Sequence, residues 1–139
     1  MDAVEIREIY AVRELLELEA LRLSLPNLTN AKLEEAAAVL HQIDAESDVG
    51  RWGALNRTFH LTLYSACGNA RLLGLIDAQL NAADRYVRVL LSNLEYRARS
   101  QAEHCKLLAF CRKRDEGQAC AWLARHLRDG SKTLVKSVK

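Results

Sequence analysis

The residues of this chain best suited to chemistry are its four histidines, His41, His60, His104 and His126, and the asparagine one turn before the second of them. In the stretch NRTFH, Asn56 and His60 stand at i and i+4 and share one helix face. At 100° per residue, His60 falls at the border of its segment's apolar stripe. His104 falls among Leu107, Leu108 and Cys111, and His126 within the arc of Ala119, Trp122 and Leu123. His41 falls on a polar side and is expected in solvent. A single inward histidine is ordinarily a hydrogen-bonded packing residue. Three on separate segments are a stronger signal, because every buried ring needs a partner and three rings can share one metal ion. Imidazole suits Zn, Ni, Cu and Fe. Asn56 can add a carbonyl oxygen from the face of His60.

Other site chemistries do not fit the spacing. There is neither HExxH nor ExxH, so neither a zincin nor a ferritin-like carboxylate site is written here. Cys67, Cys105, Cys111 and Cys120 form no CxxC pair and are expected to be small, mostly buried, reduced residues. Cys111 lies seven residues beyond His104, about 10 Å along a helix, too far for one ion to bind both. Glu103 is adjacent to His104 but points about 100° away, which leaves no evident general base beside the rings.

The elements that must position these residues are helices. Ala, Leu, Glu and Arg dominate, and no stretch alternates long enough for a strand. The apolar periodicity predicts six helices. The first spans Ala3 to Ser24 on a stripe of Ile9, Val12, Leu16, Ala20 and Leu23, and Pro26 stops it. The second spans Asn30 to Ala45, opened by Thr29-Asn30, with Leu33, Ala37, Leu40 and Ile43 inward. The third spans Val49 to Ala66, capped by Asp48, with Trp52, Leu55, Phe59, Leu63 and Ala66 inward. The fourth spans Ala70 to Leu91 after the Gly68-Asn69 stop, and the fifth Glu95 to Arg114. The sixth spans Glu116 to Val135, opened by Asp115 with Gln118 three residues on. Short connections make an all-α, antiparallel bundle with room for a central cavity.

Composition bounds the partners. The 139 residues fit one domain, residues 1–139, at 50% hydrophobic and 27% charged. A formal charge of +2 is too small to argue for a nucleic-acid surface. No apolar run approaches the ~20 residues of a membrane span. The N-terminal MDAVEIREIY is acidic and mixed, unlike a signal or transit peptide, so a cytoplasmic protein is expected.

With Asn56, His60, His104 and His126 placed, the chain resembles the C-terminal effector-binding domain of GntR-superfamily transcriptional regulators, the FadR-like or FCD type. IYAVRELLELEA is similar to that family's first helix, with Arg13 followed four residues later by Glu17. LNRTFHLTLYSACGN resembles its D/N-x-x-x-H segment with the Gly68-Asn69 stop. AEHCKLLAFCRKRDEGQACAWLARHL resembles its closing helix pair, with a second histidine 22 residues after the first. The resemblance implies a helical bundle whose central cavity holds a divalent metal on Asn56, His60, His104 and His126. Zinc is the expected ion, with nickel or manganese as alternatives. It implies further that a small organic acid binds over the metal and changes DNA affinity through a separate winged-helix domain, in a regulator that is a homodimer rather than an enzyme. The family often has Asp where Asn56 stands. The winged-helix domain is expected to lie outside this chain.

Three neutral imidazoles and one amide leave a divalent ion its full charge, which attracts a carboxylate. Arg13, at the edge of the first stripe, can hold such a group bidentately; alternatively it pairs along the helix with Glu17. Tyr64, Arg85 and Asn69 are further candidates for the effector pocket. The alternative functions on the same three histidines are a metal-dependent hydrolase or lyase and a purely structural metal site.

Overall fold

A computed structural model describes residues 2–138. The six helices are α1 (Ala3–Ser24), α2 (Asn30–Asp44), α3 (Val49–Tyr64), α4 (Ala70–Leu91), α5 (Leu94–Arg112) and α6 (Glu116–Ser137), with a 3-10 turn at Leu25–Asn27. The architecture is the expected all-α bundle.

Each helix starts where a short polar side chain can take an orphan N–H. Asp2, Thr29, Asp48, Asn69, Asn93 and Asp115 accept from the backbone N–H three residues on, at 2.8 to 3.1 Å. The ends are equally local in origin. Gly68 takes a positive φ of 71°, which a residue without Cβ adopts freely. The fifth helix stops at Arg112 rather than Arg114 because Arg114 itself is left-handed, at φ 58°. Its guanidinium crosses to the carbonyl of Leu25 at 2.9 Å, and the following Asp115 N–H reaches back to Phe110.

Helix α1 lies against α3, α4 and α6, while α2 lies against α3 and α5. Ile6, Leu21, Phe59, Leu63, Ile76, Leu107 and Leu123 are fully buried among them. The face that α1 buries differs from the predicted stripe. Ile6, Tyr10, Arg13, Glu17, Ala20, Leu21 and Ser24 point inward, and Val12 is 40% exposed. A search for apolar periodicity passes over this face because its centre is a charged pair.

On α2 the inward set is Leu33, Ala36, Val39, Leu40 and Ile43, with Ala37 only partly buried. The cysteines are all free thiols: Cys67 and Cys111 are buried, Cys120 is half-buried and Cys105 is exposed. No described helix is long and apolar enough to cross a membrane.

Candidate metal centre and its cavity

His60 from α3, His104 from α5 and His126 from α6 meet in the middle of the bundle, at 1%, 0% and 5% exposure. Their ring centroids are 4.7 to 5.1 Å apart. Each ring offers a nitrogen, and the three nitrogens lie within 4.8 Å of one another. A tetrahedral zinc with bonds of about 2.1 Å sets its nitrogens about 3.4 Å apart, so the rings must close by roughly 1.4 Å at most to share one ion. His41 is exposed, as its polar face requires.

Every ring is held from behind through Nδ1, and the hydrogen-bond partners fix where the protons sit. Gln101 donates its amide NH2 to the Leu40 carbonyl (2.9 Å) and to Asp44 (3.0 Å). Its oxygen therefore faces His104 Nδ1 at 2.9 Å, and that nitrogen must carry the hydrogen. Glu103 places Oε1 2.8 Å from His126 Nδ1, which makes the same demand. The Tyr64 hydroxyl donates to Glu17 Oε1 at 2.7 Å, so toward His60 Nδ1, at 3.4 Å, it offers a lone pair. A neutral ring protonated on Nδ1 carries a bare lone pair on Nε2.

Burial, first, and the neighbouring charge sites of His126 and Arg13 hold the His60 pKa well below the ordinary histidine value. Burial, then His126 and His60, does the same for His104. Both rings are neutral at pH 7. Their Nε2 atoms are buried without a hydrogen-bond partner, and so is Oδ1 of Asn56. Buried acceptors left unsatisfied are costly. These partnerless acceptors, two of them imidazole nitrogens, form a donor set that fits a divalent transition metal.

The space beside the rings is divided by Arg13. A cavity of about 190 Å³ between α3 and α4 is lined by Arg13, Asn56 and His60, with Arg57 and Arg88 also on its wall. A smaller one of about 20 Å³ lies towards α5 and α6, lined by Arg13, Asn56, Tyr10, Tyr96, Ser100 and His126. The Arg13 Nε is bound to Glu17 Oε2 at 2.8 Å, both side chains being buried. Burial alone would lower the Arg13 pKa; Glu17 more than offsets this and keeps the guanidinium charged.

The structure thus brings Arg13, Asn56, His60 and His126 to the walls of these cavities, with His104 against the other two rings. Tyr64 stands behind His60, on its Nδ1 side. Arg85 is exposed on α4 beside the ring of Tyr86, and Asn69 is exposed and spends its side chain capping α4. Glu103 has a contact that the sequence did not indicate, although it is not the general base whose absence was expected. It points away from His104, as helix geometry requires, but the packing of α5 on α6 delivers it to His126. Gln101 was also missed, although its place three residues before His104 put it on the same face.

The family model of the FCD domain matches residues 8–129. The chain is similar to the crystal structure of a transcriptional regulator (GntR family member) from Pseudomonas syringae pv. tomato str. DC3000. The TM-score is 0.89 at 35% identity, over 99% of this chain and 58% of that one. It is similar in fold to E. coli McbR/YncC, with a TM-score of 0.82 at 22% identity, over 96% of this chain and 65% of that one. The chain therefore spans less than two thirds of the length of either protein. No curated protein matches it.

Proposed function

The chain belongs to the FCD domain family of GntR-type regulators, and on that premise we propose that it senses a small organic acid at a divalent metal held by His60, His104, His126 and Asn56. The observation that carries this reading is the set of buried, partnerless acceptors: Nε2 of His60 and His104 and Oδ1 of Asn56. Bound there, the ion would present an uncompensated positive charge to an incoming carboxylate. Zinc is the first candidate, with nickel and manganese next.

The chain's own residues supply the rest. Arg13 has its Nε committed to Glu17, and its side chain lines both cavities, where the terminal nitrogens can meet a carboxylate in the fork geometry that Lys lacks. A volume of about 190 Å³ suits an acid of a few carbons better than a fatty acyl chain. In the intact regulator, a homodimer, the occupied site changes the DNA affinity of a separate winged-helix domain.

A hydrolase or lyase on the same histidines is less well supported. Glu103 is bound to the Nδ1 side of His126, away from the rings' open nitrogens, and so is not placed as a base for a bound acid. A thermal-shift screen of sugar acids, hydroxy acids and dicarboxylates, on zinc-loaded and metal-free protein, tests the proposal. One class of acid should raise the melting temperature of the loaded protein only, remain chemically intact after incubation, and lose its effect in Arg13→Lys. Turnover of the acid would favour the enzyme, and stabilisation by no acid would favour a structural site.

A further inference from the structure

Behind the open nitrogens, a buried polar chain runs from α1 into α3. Arg13 Nε donates to Glu17 Oε2 at 2.8 Å. Glu17 Oε1 accepts from the Tyr64 hydroxyl at 2.7 Å, and that hydroxyl stands 3.4 Å from His60 Nδ1. Glu17 and Tyr64 are wholly buried, and Arg13 and His60 nearly so.

We propose that Glu17 and Tyr64 are positioning residues that set the tautomer of His60, and that through Arg13 they link metal affinity to whatever anion occupies the cavity. The proposal rests on the metal reading above and extends it to regulation of that site.

The proton count carries the argument. A carboxylate only accepts, so both of its oxygens demand hydrogens, one from Arg13 and one from Tyr64. The tyrosine has a single proton, and Glu17 takes it. His60 Nδ1 must then donate, and the lone pair of the ring is left on Nε2, the side that faces His104 and His126. Without the Glu17 carboxylate the tyrosine proton is free to turn to His60 Nδ1. The ring then carries its hydrogen on Nε2, where it blocks a metal. The tautomer of a ligand is thus decided two residues away, as outer hydrogen-bond partners of metal-binding histidines commonly do.

Arg13 joins this chain to the cavity. An anion there draws on the same guanidinium that neutralises Glu17, so the hold of Glu17 on Tyr64, and with it the state of His60, depends on cavity occupancy. Coupling of this kind is reciprocal: whatever the anion does to metal affinity, the metal does to anion affinity.

The test needs only zinc and the full chain. Zinc titration of metal-free wild type, Tyr64→Phe and Glu17→Gln is combined with two-bond proton–nitrogen spectra of the histidine rings in the metal-free proteins. His60 is assigned by comparison with His60→Gln. Wild type should show His60 wholly in the Nδ1–H form, and Tyr64→Phe should show a mixture and bind zinc at least about tenfold more weakly. Glu17→Gln should move the same way, since its amide can donate to Tyr64 and release the hydroxyl proton. Should Glu17→Gln fail to fold, Tyr64→Phe, which removes one hydroxyl, still decides the matter. Unchanged zinc affinity together with an unchanged His60 tautomer in Tyr64→Phe would overturn the proposal. If wild type takes up no zinc, the metal reading falls, and the tautomer spectra alone decide whether Tyr64 and Glu17 set His60.

Discussion

Helices α1 and α2 each bury one face, and the two faces are built from opposite chemistry. The α2 face is Leu33, Ala36, Val39, Leu40 and Ile43, where every inward group gains by leaving water. The α1 face sets Tyr10, Arg13, Glu17 and Ser24 between Ile6, Ala20 and Leu21, and two of those groups carry full charges. A buried ion pair seldom improves on a well-packed apolar pair of the same volume. The α1 face is therefore poorly explained by stability, and well explained by the polar centre it contacts. In this molecule the costly burial surrounds the histidine cluster, and the inexpensive burial forms the scaffold.

The largest effect should come from breaking the α1 pair. Glu17→Ala leaves Arg13 charged and unpaired in the core and should cost about 3–5 kcal/mol in denaturant unfolding. On the scaffold side, Leu33→Ala should cost about 2–5 kcal/mol from lost contact and the cavity left behind. The sharper contrast is what accompanies each loss. The α2 variant should keep the zinc affinity of wild type, and the α1 variant should not.

A smaller effect should appear with pH. His60 and His104 have folded-state pKa values below the 6.5 of a free histidine, chiefly because of burial. The unfolded chain therefore binds protons that the folded chain refuses. Stability of the metal-free protein should be full above about pH 6.5 and fall as pH drops below it, by up to about 2.7 kcal/mol per unit for two such groups. Leu33→Ala should reproduce that slope, and His104→Gln should lose about half of it. A flat profile between pH 7 and pH 5 would remove the case for neutral, buried rings.

The smallest effect concerns Asn56. Asn56→Asp keeps the shape and turns a dipolar ligand into an anionic one, so zinc should bind roughly tenfold more tightly, about 1.4 kcal/mol. The loaded site then has one unit less positive charge, and the effector acid should bind more weakly. Calorimetry of zinc into metal-free protein, then of acid into loaded protein, checks both signs. Unchanged zinc affinity would mean that Asn56 does not touch the ion.

Much of this was legible in the residues. The helix starts were readable because Asp, Asn and Thr at the caps declare themselves, and Asp48, Thr29 and Asp115 cap where expected. Gln118, three residues after that last cap, is exposed and sends no side-chain bond back to Asp115, whose N–H goes to Phe110 instead. The three histidines were legible because a ring at a fixed angle among Leu and Cys residues must point inward.

Two features were hidden, for different reasons. The α1 face was hidden because hydrophobic periodicity gives no weight to a charged pair, although Arg13 and Glu17 stand at i and i+4. The contact of Glu103 with His126 was hidden because it depends on how α5 lies on α6, and spacing within one helix does not encode that.

The most direct test is calorimetry of zinc into metal-free protein, with Cys105→Ser as background so that the exposed thiol contributes nothing. One site per chain, abolished in His104→Ala and unaffected by Leu33→Ala, is the result predicted from the converging Nε2 lone pairs. A folded wild-type core that takes up neither zinc nor nickel nor manganese would contradict it.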